Sequence, residues 1–219
     1  LEEMVASQVA EMTRMQDEVI TGIANLIESR DGSTGLHVKN TQNYVQILTK
    51  ALREKGMYPD ILDHNYELNT VKASVLHDIG KIKTPDAILL KPGRLTDEEF
   101  EVMKQHTVAG CEIIDRIIGN VEHEEYVDIA RKIARYHHER WDGTGYPDGL
   151  SGEEIPLCAR IMALADVFDA LYQDRCYKKA IRPASKVFEI IKENSGSQFD
   201  PNLTEIFLEL QREITDISE

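Results

Sequence analysis

His77-Asp78-Ile79-Gly80-Lys81 is the stretch from which the rest of the chain can be read, because it sets an imidazole beside a carboxylate and follows them with a glycine and a lysine. Imidazole suits iron, zinc and copper, while carboxylate suits magnesium and manganese, so a mixed set suits iron or manganese. Similar side chains recur on either side: His37 upstream, and His106, the pair His137-His138 and Asp166 downstream. No two of these elements stand at the i, i+4 spacing of a helix-borne zinc motif, and no cysteine adjoins them. They must therefore converge from several helices, as ligands do in a bundle core.

The second informative stretch is His137-His138-Glu139-Arg140-Trp141-Asp142-Gly143-Thr144-Gly145-Tyr146-Pro147. The two stretches have the forms HDxGK and HHExxDGxGYP, and together they resemble the HD-GYP family, a bacterial branch of the HD phosphohydrolases. The likeness continues through Pro85-Asp86-Ala87-Ile88-Leu89, Lys91-Pro92-Gly93, Ala165-Asp166-Val167-Phe168-Asp169-Ala170-Leu171 and Gln198-Phe199-Asp200-Pro201. It runs from about residue 20 to about residue 210.

The resemblance implies a metal-dependent phosphodiesterase that hydrolyses cyclic di-GMP to linear pGpG, with further hydrolysis to GMP left open. It implies two divalent ions bridged by Asp78, one completed by His37, His77 and Asp166 and the other by His106, His137 and His138. Iron or manganese is expected, with zinc or nickel as alternatives, since affinity follows the Irving-Williams order rather than biological choice. Two such ions supply hydroxide near neutral pH and clamp a phosphoryl oxygen.

Asp166 fits this role on its own terms. It lies in an apolar run, where an unpaired carboxylate is costly to bury unless a cation is near.

Lys81, at the end of HDxGK, is expected to contact substrate phosphate and to act with Asp78 in catalysis. Arg175 and Lys178 lie in Asp174-Arg175-Cys176-Tyr177-Lys178-Lys179-Ala180, which is similar to the family segment DRPYRKA that binds the ligand's phosphates and guanines, with Cys176 in place of proline. Tyr146 is a further expected ligand contact, on a glycine-rich loop that scaffolds the site. One departure bears on the metal count. Some family members bind a third ion through a glutamate four residues before the first histidine, and Ser33 stands there; Glu28 and Asp31 are nearby but out of register. Two ions are therefore expected.

The 219 residues, 42% of them hydrophobic, can bury a sizeable core. A formal net charge of -14 argues against binding a nucleic-acid polymer, which depends on neutralising many phosphates. Three widely spaced cysteines suggest neither a disulfide framework nor a zinc knuckle, and a reducing cytoplasm fits them. No apolar run approaches a membrane span and no signal peptide precedes Leu1, so no membrane contact is expected of this fragment. A chain that starts without Met and enters helical pattern at once is expected to be cut from a longer protein, fused to an upstream sensor or receiver domain.

In the first thirty residues Val5, Val9, Met12, Val19, Ile23 and Leu26 follow alternating steps of three and four, with Gln16 at the one polar position. This predicts one helix, divided into a coiled-coil linker over residues 1–19 that pairs two subunits as a parallel homodimer, and a domain over residues 20–219. Gly32 and Gly35 are expected to close it. Residues 56–69 read as a connection carrying a solvated His64. The pair His77-Asp78 is expected on a helix ending near Gly80. Thr96 and Glu99 form a capping box for the His106 helix, and His123 reads as surface. The next helix spans residues 126–139 and ends in the histidine pair. Pro156 leads into the helix of Asp166 and Asp169, while Arg182-Pro183 and Asp200-Pro201 open the last two helices. Strand signals are weak throughout, so the domain is expected to be all-α, an HD-type bundle of about seven or eight helices behind an N-terminal linker helix.

Two other functions compete. A sensor module would bind a cyclic dinucleotide without turnover, and loss of ligands would mark it; every ligand of the pair of ions is present. An HD hydrolase could also act on another cyclic dinucleotide or nucleotide phosphate ester. Di-iron HD proteins include oxygenases, to which the Gly-Tyr-Pro loop lends little support.

Overall fold

The structure is a computed structural model that describes residues 2–31, 36–119, 124–173 and 180–217. Among the described residues there are ten α-helices, some 3-10 turns and no strand. The helices are α1 (Glu2–Glu28), α2 (His37–Glu54), α3 (His64–Ala73), α4 (Asp86–Leu89), α5 (Asp97–Ile118), α6 (Glu124–Tyr136), α7 (Leu157–Tyr172), α8 (Ala184–Glu193), α9 (Pro201–Glu209) and α10 (Gln211–Asp216). Apart from α1 there are nine helices among the described residues where seven or eight are expected, because α4 and α10, a single turn and a six-residue segment, are too short to leave a periodic signal.

The centre of the bundle is α7. Apart from Arg160, Asp166 and Asp169 it is apolar nearly all round, which is the pattern of a helix surrounded by others, and Leu157, Cys158, Ile161, Met162, Leu164, Ala165 and Phe168 are all buried. Around it pack Tyr44, Val45, Leu48 and Leu52 of α2, Ile129, Ile133 and Ala134 of α6, Val187 and Ile191 of α8, and Leu203 and Phe207 of α9. Phe168 meets the rings of Tyr44, Phe188 and Phe207 at centroid distances of 5.1, 5.0 and 5.7 Å, within the range at which aromatic pairs add to simple burial.

Two predicted start signals hold: Thr96 and Glu99 form a complete capping box on α5, and Asp200 caps α9 with Pro201 in its first turn. A third cap, Asp63 accepting from the Tyr66 amide, starts α3. Asp200 also pairs with Arg160 at 2.7 Å, both buried. Trp141 and Asp142 donate their backbone amides to Gln198 and Ser197, which ties the glycine-rich loop to the C-terminal helices.

Several expectations are corrected. His64 is solvated but opens α3 instead of lying in a loop, because the Asp63 cap starts a helix there. His77 and Asp78 sit between the 3-10 segments Ser74–Leu76 and Ile79–Lys83, where the tighter winding takes the place of an α-helix. His137 and His138 lie just beyond the end of α6, and α10 follows the helix opened by Asp200-Pro201. Gly32, Ser33, Gly35, His123, Arg175, Cys176 and Lys178 lie outside the described residues.

Along α1, Ile20, Ala24 and Ile27 pack on the domain, and Asp17 pairs with Lys72 at 2.8 Å. Val5, Met12, Val19 and Leu26, each seven residues from the last, are exposed. Among the described residues no helix is long and apolar enough to cross a membrane.

Candidate metal centre

Four elements converge beneath α7. The α2 N-terminus supplies His37, the 3-10 turns supply His77 and Asp78, α5 supplies His106, and the end of α6 supplies His137 and His138. Asp166 projects from α7 itself. Two groups result whose potential ligand atoms lie within 4.8 Å of one another: Asp78, His106, His137 and His138, and His37, His77 and Asp166. Asp78 sits between them. Its Oδ1 lies 3.3 Å from His106 Nε2 and 3.7 Å from His137 Nε2, and its Oδ2 lies 3.3 Å from His77 Nε2.

Gly80 explains how the turn comes so near α5. A Cβ on this residue would fall 1.8 Å from the His106 carbonyl oxygen and 2.5 Å from the Gly110 nitrogen, so only glycine lets Asp78 approach His106.

The orientation of the imidazoles is fixed from behind. His77, His106 and His137 turn Nδ1 toward the carbonyl oxygens of Ser74 (2.9 Å), Met103 (2.7 Å) and Ile133 (2.9 Å). A carbonyl can only accept, so these rings carry hydrogen on Nδ1 and leave a lone pair on Nε2 in the neutral form. His37 turns Nδ1 to Asp169 Oδ2 at 2.7 Å. The Nε2 atoms of all four, with Asp78 Oδ1, are buried without a hydrogen-bond partner. Buried polar atoms are seldom left unmet, and five aimed into one space fit divalent cations in number and chemistry.

Electrostatics point the same way. Burial pushes the His106 imidazole down to about 4, and burial with the neighbouring His137 and His106 pushes His138 well below the ordinary range. Burial alone would raise Asp78 and Asp166, yet Lys81 and His77 hold the first well below the usual carboxylate value, and His37 and His77 lower the second. Burial lowers His77, but Asp78, Asp166 and Glu28 together outweigh it and bring the imidazole up to about 9. The site thus offers neutral imidazoles at His106 and His138 and ionised carboxylates, the protonation states that metals require, while His77 has a proton to give up.

Lys81 Nζ lies 2.7 Å from Asp78 Oδ2 and 3.2 Å from Glu28 Oε1. Tyr146 stacks on His138 at 4.8 Å and meets Phe100 edge-on at 5.9 Å. A surface cleft of about 1450 Å³, bordered by Lys39, Arg182 and Arg212, contains none of the potential ligands; the chemistry of the side chains outweighs its volume.

Three residues of the site go unassigned in the sequence reading. Asp169 accepts from His37, from Asn40 Nδ2 at 3.1 Å and from Tyr44 Oη at 3.4 Å. Its signal is a second carboxylate three residues after Asp166 in an apolar helix. Glu139 is buried and accepts the amides of Asp148, Gly149 and Leu150, which shapes the loop bearing Tyr146. Glu28, out of register with the family's third-ion glutamate, lies with His37 and Asp78 in a third group of potential ligands.

A family profile described as HD domain matches residues 3–203. A probable cyclic di-GMP phosphodiesterase of Vibrio cholerae is 42% identical over 222 residues, covering 100% of this chain and 50% of its own length. A cyclic di-GMP phosphodiesterase of the same organism is 44% identical, covering 95% of this chain and 42% of its own length. The chain therefore spans about half or less of the length of these relatives. Among solved structures, a cyclic GMP-AMP specific phosphodiesterase of V. cholerae matches with a TM-score of 0.59 and 20% identity, over 91% of this chain and 52% of that one, a likeness of fold.

Proposed function

This chain belongs to the HD domain family, in its HD-GYP branch, and on that premise we propose that it is a metal-dependent phosphodiesterase that opens cyclic di-GMP to linear pGpG. The observation that carries the reading is the position of Asp78, whose two oxygens face different sets of inward-pointing Nε2 atoms. His37, His77 and Asp166 would hold one ion, His106, His137 and His138 the other, and Asp78 both. Iron or manganese suits this mixture of imidazole and carboxylate. Bound there, two divalent ions would acidify a water and polarise a phosphoryl oxygen.

The chain's own residues do the rest. The backbone carbonyls and Asp169 fix the imidazole tautomers, so the ligands need no reorganisation. The Lys81 ammonium is near enough to Asp78 to meet a phosphate held on the same side. Tyr146 and Phe100 form an aromatic wall beside His138, suited to a flat base. Arg175 and Lys178 would complete phosphate and guanine binding, as the family segment does. A hybrid cyclic dinucleotide is the second substrate to test, since a structural relative is named for one.

We infer further that the exposed seven-residue repeat of Val5, Met12, Val19 and Leu26 is the seam of a parallel homodimer, with residues 1–19 acting as linker from an upstream domain and the domain proper following. The protein would work in the cytoplasm, where its substrate would be met.

The test is turnover of cyclic di-GMP and of cyclic GMP-AMP by protein loaded anaerobically with ferrous iron or manganese. Linear pGpG is expected. Tight binding by fully loaded protein with no product would replace the enzyme reading with that of a sensor.

A further inference from the structure

Glu28 is the last residue of α1 and is only 2% exposed. Both facts count against a carboxylate. Burial removes its hydration, and the C-terminal end of a helix carries partial negative charge. Such a group needs a cation. In this structure the Lys81 ammonium supplies it, lying between Glu28 Oε1 at 3.2 Å and Asp78 Oδ2 at 2.7 Å. Glu28, His37 and Asp78 also present ligand atoms within 4.8 Å of one another.

The position of Glu28 is held from the neighbouring turn. Arg30 donates to the carbonyl oxygens of Lys81 and Ile82 at 3.3 Å each and of Thr84 at 3.4 Å, and pairs with Asp86 at 2.6 Å. The end of α1 is therefore tied to the strap that carries Asp78 and Lys81.

His37 decides what kind of site this is. Its Nδ1 is engaged by Asp169, so only Nε2 is available, and one lone pair serves one ion. Glu28, His37 and Asp78 cannot form a third centre while His37 also serves the ion of His77 and Asp166. They describe that same ion approached from the α1 side.

We propose that Glu28 is an additional carboxylate ligand of the ion held by His37, His77 and Asp166, brought to it by α1 and engaging where the Lys81 ammonium now lies. The inference rests on the two-ion reading above. It makes the affinity for one ion depend on the seat of the N-terminal helix.

The test is manganese stoichiometry and affinity, by chelator competition and elemental analysis, for the whole chain and for Glu28→Gln, Glu28→Asp and Asp78→Asn. The wild type is expected to bind two ions. Glu28→Gln should still bind two, one of them roughly 10- to 100-fold more weakly. Asp78→Asn should lose both. Equal affinities in wild type and Glu28→Gln would overturn the proposal, and so would three ions in the wild type with one lost in Glu28→Gln. A wild type that binds no ion would instead overturn the two-ion reading itself, before any variant is compared. Should the metal-free circular dichroism of Glu28→Gln show a lost fold, Glu28→Asp carries the test, with a weakened ion supporting the proposal and wild-type affinity overturning it.

Discussion

Asp169 Oδ2 lies 2.7 Å from His37 Nδ1, one helical turn beyond Asp166, whose Oδ1 lies 3.4 Å from the other nitrogen of the same ring. A single turn of α7 thus grips both sides of one imidazole. Asp169→Asn keeps the shape but removes the charge that makes His37 a stronger donor of electron density. Affinity for one metal ion is expected to fall about 10- to 100-fold with the helical fold intact. Chelator competition would show it, and unchanged affinity would remove Asp169 from the site.

Metal binding should release a proton from His77. With its value raised to about 9, His77 is protonated in the metal-free protein at pH 7 and must become neutral to ligate. Apparent affinity for that ion should therefore rise on the order of tenfold per pH unit between pH 7 and 9, and level off above. Calorimetry in two buffers of different ionisation enthalpy counts the proton directly; no buffer dependence at pH 7 would contradict the assignment.

Two glycines should respond oppositely to alanine. Gly22 lies in α1, and a methyl placed on it would meet nothing within 4 Å, so Gly22→Ala should stabilise the helix by roughly 0.5–1 kcal/mol. Gly80→Ala would drive a methyl into the His106 carbonyl and part Asp78 from His106. It should abolish metal loading and turnover, and retained loading would show that the close approach is dispensable.

The Arg160–Asp200 pair is expected to hold the C-terminal helices. Asp200→Ala leaves the guanidinium buried beside Trp141 and Tyr58 and removes the α9 cap. Breaking one side of a buried pair costs about 3–5 kcal/mol, which urea melts should register. A loss under about 1 kcal/mol, as for an exposed pair, would contradict the burial argument.

Glu139→Ala should loosen the loop without disturbing the bundle. Three backbone amides lose their acceptor, so residues 145–150 should become open to proteolysis and KM should rise more than kcat falls. Equal protease resistance in wild type and variant would argue against an anchoring role.

The helices that position the site, and the groups that the structure gathers, are legible in the sequence where the signal is local. Thr96 with Glu99 announces α5, and the apolar run after Pro156 announces α7. The histidines and Asp78 stand out because most of them sit in short contiguous motifs. Glu28 is not legible as a participant, and Asp169 only as a second carboxylate in an apolar helix, since each matters through a residue far away in sequence. The 3-10 turns around His77 pass for helix because five residues of tight winding carry no periodicity of their own. α4 and α10 escape for the same reason.

α1 has one more consequence. From Val5 to Glu28 it runs roughly 35 Å as an unbroken rod, given a rise of 1.5 Å per residue. A rod conveys torque: turning the paired rods about their axes would shift the inner carboxylate against the packing of Ile20, Ala24 and Ile27, which limits how far the rod can turn. Remote input would then act as a throttle on cation retention within the give of that seat.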